Sequence, residues 1–140
     1  MNGDHRDAGR VSLFLAVAML GIFAVIGMSY DGAGQLRALQ RADNLAAEAA
    51  RAGGQEIDRA AAIGGGGIVL DEAAAYARIN AYVNDAQATL VAVDFNAFAG
   101  GQDVTVTVSV QYDRYMLDFL GFSNSIDVEG RATALLRTEP

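Results

Sequence analysis

A chain of 140 residues, 52% hydrophobic and with a formal net charge of −7, has room for one small domain and an anchor but not for two full domains. It has no cysteine, which excludes disulfides and thiolate metal sites, and its one histidine, His5, leaves the usual nucleophile–base pairs unavailable. The acidic balance argues against nucleic acid, which attracts basic surfaces, and suits a solvated exterior.

Residues 1–10 read as a short polar tail without structure. Val11 to Tyr30 is the only long uncharged apolar run, and its twenty residues at about 1.5 Å each match a hydrocarbon core about 30 Å thick. Arg6 and Arg10 precede the run and Asp31 follows it, which predicts a single-pass cell-membrane protein with a cytoplasmic N-terminus. A cleaved signal peptide is the rival. Its apolar core would be shorter, and the small residues Gly32-Ala33-Gly34 lie poorly placed for cleavage behind Tyr30 and Asp31. The chain thus divides into a cytoplasmic tail (1–10), a transmembrane helix (11–30) and an extracytoplasmic part (31–140).

Beyond the span the helical pattern continues as a slender, alanine-rich stem to about Asp58. Its apolar positions are Leu36, Leu39, Ala42, Ala46, Ala49 and Ala50. Asp31 to Gly34 is the expected place for a bend. Ala60 to Gly67 ends the stem, with Gly64 to Gly67 as a flexible loop; no Lys-Ser/Thr follows it, so it is not a phosphate loop. Asp71 is placed as the N-cap of a second helix running to about Asp85, with Ala75, Ile79, Tyr82 and Val83 on its apolar face.

The remainder is β. Thr89 to Phe95 alternates with Val91, Val93 and Phe95 on one side, and residues 96–102 form a turn-rich connection. Asp103 to Tyr112 puts Val104, Val106, Val108 and Val110 on one face and Thr105, Thr107, Ser109 and Gln111 on the other. Met116 to Phe122 breaks the alternation. Ser125 to Arg137 resumes it, with Ile126, Val128, Ala132 and Ala134 inward. The fold class is α+β: a transmembrane helix extended into a stem, a second helix, and a three-stranded antiparallel meander whose apolar face lies on a helix, a pilin-like plan.

The order of these pieces carries a resemblance. Asp7-Ala8-Gly9-Arg10-Val11-Ser12-Leu13-Phe14, the apolar helix, Tyr30-Asp31-Gly32-Ala33-Gly34 and the Arg/Ala-rich helix through Ala52-Gly53 resemble TadE/TadG-like proteins of tight-adherence (Tad, Flp pilus) assembly, particularly the actinobacterial ones. Leu70-Asp71 opening an Ala-rich helix, the Val-Thr repeat, Leu120-Gly121 and Ala132-Thr133-Ala134 extend the likeness over most of the chain. The resemblance implies a structural or accessory subunit, a minor pilin or pseudopilin, contacting lipid and other pilus-assembly subunits through the transmembrane and stem helices. It also makes Gly9-Arg10 the candidate processing site. TadE-type pseudopilins usually carry glutamate at the fifth residue after that glycine, where this chain has Phe14; no acid lies between Val11 and Tyr30, so the chain looks more like the TadG side of the family.

No catalytic constellation, cofactor site or metal site is read from the residues. Asp94, Asp103, Asp113, Asp118 and Asp127 lack the close spacing of a calcium loop and read as solvated strand ends. The apolar cluster Tyr115, Met116, Phe119, Leu120 and Phe122 is either a cap on the core or a contact patch for a partner subunit or the membrane surface. The expected function is non-enzymatic: a membrane-anchored component of a Tad-type pilus or secretion apparatus. The alternative is a stand-alone tethered binding module of the envelope.

Overall fold

A computed structural model describes residues 4–65, 68–98, 100–119, 121 and 125–137. One helix, α1, runs unbroken over Asp4–Gly53, 50 residues or about 75 Å. It therefore begins inside the tail expected to lack structure, and it continues without a break through Asp31 to Gly34. Over 11–30 its apolar side chains stand exposed, among them Phe14 at 74% and Phe23 at 67%.

The other elements gather on the upper half of α1. A short helix, α2 (Arg59–Ile63), is N-capped by Asp58, whose carboxylate accepts from the backbone of Ala60 and Ala61. The stem thus ends at Gly53 and not near Asp58, and α2 occupies the segment before the expected glycine loop, of which Gly66 and Gly67 lie outside the described residues. Segments 56–58 and 69–71 clasp this excursion by two backbone hydrogen bonds, Asp58 N to Val69 O and Asp71 N to Glu56 O, both 2.8 Å. Helix α3 (Glu72–Asp85) is capped by Asp71 as expected, through Ala74 N at 3.0 Å.

Strands β1 (Thr89–Phe98), β2 (Gly101–Asp113) and β3 (Ser125–Arg137) form an antiparallel sheet in the order β1-β2-β3. β1 and β2 are longer than the alternation suggested. Their hairpin closes at the Phe98–Gly101 pair and turns through Gly100 at φ +92°. The sheet lies along the stem, with α1 over β2 and β3, and α3 beside α1 over β1. β2 descends until Tyr112 covers Gly34; β3 climbs back past Ala42, and Ala134 reaches Gly54.

The core is Val104, Val106 and Val108 of β2 against Ile79 and Val83 of α3 and Ala46, Ala49 and Ala50 of α1. Each of the large side chains is fully buried, a contribution of about 1.5–3 kcal/mol apiece. The stem side of this core is made of small residues: Gly34, Ala38, Ala42, Ala46, Ala49 and Gly53 recur at three- and four-residue steps, and all but the half-buried Gly34 are buried. Leu36 and Leu39, expected on the packed face, are 62% and 37% exposed. The sheet backbone approaches so closely that only small side chains fit beneath it, and the leucines are turned away.

Two strand expectations are also corrected. The register of β1 shifts between Leu90 and Ala92, so Val91 is the extra residue of a bulge; it is 49% exposed, while Leu90, Val93 and Phe95 face the core. Thr105, expected in water, is buried at 5%, because it sits mid-sheet between Asp94 and Thr133; its hydroxyl is 2.8 Å from that of Thr133.

Candidate interaction site at the stem base

The connection from β2 to β3 drops to the lower end of the domain and contains a four-residue helix, α4 (Met116–Phe119). α1 holds it by one side chain. Asp31 is only 3% exposed, and its Oδ1 accepts from the backbone N–H of Tyr115 at 3.2 Å and of Met116 at 3.3 Å. The carboxylate thus serves α4 as an N-cap supplied from 84 residues away. The Tyr112 hydroxyl donates to the same carboxylate. A buried charge is costly unless hydrogen-bonded, and here three donors meet it.

Glycines make room for this junction. The Tyr112 ring lies where a Cβ on Gly34 would be, and Met116 Cβ is 3.2 Å from the Cβ position of Gly27. Higher up, a Cβ on Gly130 of β3 would overlap the α1 backbone at Ala42 and Asp43. Beside it, Asp43 Oδ1 accepts from Arg131 N at 3.2 Å, so the stem takes up an N–H of the edge strand.

Next to the junction is a cleft of about 390 Å³ between stem and β2, lined by Tyr30, Gly34, Arg37, Arg41, Tyr112 and Tyr115. Arg41 donates to the Ala86 carbonyl at the end of α3 at 3.2 Å. A smaller hollow on the other side of the junction is bounded by Met28, Asp31, Gly32, Gln35 and Arg114.

Of the expected contact patch, Tyr115 and Met116 lie together at this base, 69% and 45% exposed. Phe119 closes α4, whereas its side chain, Leu120 and Phe122 lie outside the described residues. Gly9 and Arg10 are exposed and helical, with nothing within 4 Å of a Cβ on Gly9. Among the described residues no three His, Asp or Glu side chains gather in a way that could hold a metal ion, and Asp94, Asp103, Asp113, Asp118 and Asp127 form no such group. Sequence reasoning placed Asp31 and Gly34 at the end of the span and at an expected bend, gave neither a packing role, and missed Asp43 and Gly130. Small residues recurring every three or four positions from Gly34 to Gly53 were the available signal for the packed face of the stem.

Burial, and next the negative charge of Asp31, raise the Tyr112 pKa above its ordinary 10.0. The folded state therefore keeps this proton at pH values where the unfolded chain loses it. The contribution is intact below pH 10.0 and is lost as pH rises through the raised value. Denaturant titrations at neutral pH and above pH 10 should show an alkaline loss of stability that Tyr112→Phe reduces. At neutral pH the variant should cost about 1.5–3 kcal/mol, one hydrogen bond to a charged acceptor. An unchanged alkaline slope would show that Tyr112 is not the group responsible.

No curated protein and no solved structure matches the chain. Residues 9–56, the apolar segment and the whole stem, match the model of the family described as putative Flp pilus-assembly TadE/G-like, so the likeness covers about a third of the chain and none of the sheet.

Proposed function

We propose that this chain is a non-enzymatic, membrane-anchored accessory component of a Tad-type pilus or secretion apparatus, of the minor-pilin or pseudopilin kind. It spans the cell membrane through residues 11–30 with its N-terminus in the cytoplasm and holds a small pilin-like domain outside. The family match over residues 9–56 carries this reading. The geometry supports it. One face of the stem is committed to the chain's own sheet, while Leu36 and Leu39 lie off that face and stay exposed to neighbouring subunits. The span itself exposes far more apolar surface than water tolerates.

The chain is expected to keep its N-terminal peptide. Phe14 stands where a processed pseudopilin would carry glutamate, and no acid within 11–30 could neutralise a new N-terminal amine inside the membrane. Cross-linking in cells, extraction in mild detergent and mass spectrometry test both points. Recovery of Tad-type pilins or platform proteins, together with a peptide containing Asp7 to Arg10, is the expected result. Failure to recover any pilus-assembly component would overturn the assignment, and an N-terminus at Arg10 would return the chain to the processed class.

A further inference from the structure

The α4 turn sits lower on the stem than the rest of the domain. Met116 packs over Gly27, and Gly27 lies inside the apolar run that ends at Tyr30. Asp31, the first charged residue after Arg10, is hidden beneath this turn and hydrogen-bonded to it. The next charged residue along α1 is Arg37. Positions 11–36 thus present an uncharged outer surface over 26 residues, about 39 Å of helix. That exceeds a hydrocarbon core of about 30 Å and leaves a remainder that falls within the headgroup zone.

The side chains at this level suit that zone. Tyr30 and Tyr115 are 57% and 69% exposed, and tyrosine collects where a bilayer meets water. Arg114 borders the hollow beside Met28 and Gly32, and Arg37 borders the cleft beside Tyr30 and Tyr115. Both can reach lipid phosphates with their stems along apolar surface. Asp118, the exposed acid of α4, offsets one of these charges, so the surface fits zwitterionic phospholipid and does not require anionic lipid.

We propose that Tyr115 and Met116 of the β2–β3 connection rest in the phospholipid interface of the outer leaflet, with Arg114 and Arg37 at headgroup level. The proposal rests on the assignment of residues 11–30 as a membrane span. The bilayer then contacts the domain as well as the anchor, and sets the height and tilt at which the sheet stands above the membrane. Asp31 makes this possible by holding α4 down while withdrawing its own charge from the lipid-facing surface.

The absence of cysteine permits a direct test on the full chain. Single-cysteine variants Phe23→Cys, Tyr115→Cys, Asp118→Cys and Glu72→Cys, each carrying a fluorophore, are reconstituted in phosphatidylcholine nanodiscs. They are challenged with nitroxide lipids and with a water-soluble quencher. Phe23 reports the span and Glu72, in the first turn of α3, the domain remote from it. Lipid quenching at Tyr115 should exceed that at Glu72 severalfold and fall below that at Phe23. Asp118→Cys, whose exposed side chain can be removed without opening the core, should give the same order if the tyrosine variant fails to fold. Strong lipid quenching at Phe23 with aqueous behaviour at both α4 positions overturns the proposal and leaves the span standing. Shielding of α4 from both quenchers means a protein covers it, and also overturns the proposal. Aqueous behaviour at Phe23 itself removes the span, and the proposal with it.

Discussion

Asp31→Ala should detach the lower end of the domain from the stem. The substitution removes the acceptor for two backbone N–H groups, those of Tyr115 and Met116, and for the Tyr112 hydroxyl. Losing a cap costs about 0.5–2 kcal/mol, and leaving a buried donor without a partner costs about 1–3 kcal/mol. These terms overlap, so the expected loss is about 3 kcal/mol, or a fall in Tm of roughly 10 °C for a domain of this size. Hydrogen exchange should locate the effect: protection should fall at residues 112–119 and persist at the core positions Val104 to Val108. Asp31→Asn keeps an acceptor oxygen and should lose less than half as much. Equal losses in the two variants would mean that the charge, and not the hydrogen bonds, secures the turn. An Asp31→Ala variant with unchanged protection at 112–119 would show that α4 is held by Met116 packing alone.

Gly130→Ala should be comparably severe for a different reason. A methyl group there meets the α1 backbone at Ala42 and Asp43, which cannot rotate aside as a side chain could. Overpacking of this kind costs about 1–3 kcal/mol, and the strand can escape only by lifting from the stem. Lifting would also stretch the bond from Arg131 N to Asp43 and open the interface over Val106 and Val108. Gly32→Ala is the internal comparison. It lies in the same stem helix with nothing within 4 Å of its Cβ position. There alanine should stabilise, by up to about 1 kcal/mol through helix propensity. Opposite signs at the two positions, read from thermal melts of the same preparation, are the expected result. A neutral Gly130→Ala would mean that sheet and stem are farther apart than described.

Much of the architecture follows from local patterns. Val11 to Tyr30 is apolar on every side, and α3 carries its own cap at Asp71 and its own stripe of Ala75, Ile79 and Val83. β2 alternates in sequence from Asp103 to Tyr112 and β3 from Ser125 to Arg137, and the two strands pair over their whole length. Such signals need only the neighbouring residues, because the periods of helix and strand are properties of the backbone. The interaction site was half legible. Tyr115 and Met116 stood out as apolar residues where the alternation fails, but nothing near them in the chain pointed to Asp31.

The sequence by itself therefore determined the long helix, α3 and the three strands, their order, the antiparallel meander and the apolar segment that suits a membrane, but not the short helices α2 and α4. Only the tertiary structure decided which face of the stem is covered, where β1 bulges at Val91, and how low α4 sits. The cause is distance along the chain. The bond from Tyr115 to Asp31 joins residues 84 apart and that from Arg131 to Asp43 residues 88 apart. Leucines at 36 and 39 read as a buried face on hydrophobicity alone, yet the sheet comes too close to admit them and takes the alanines. Close approach of two backbones favours the small residue over the apolar one, and a one-dimensional pattern does not record how near its partner will be.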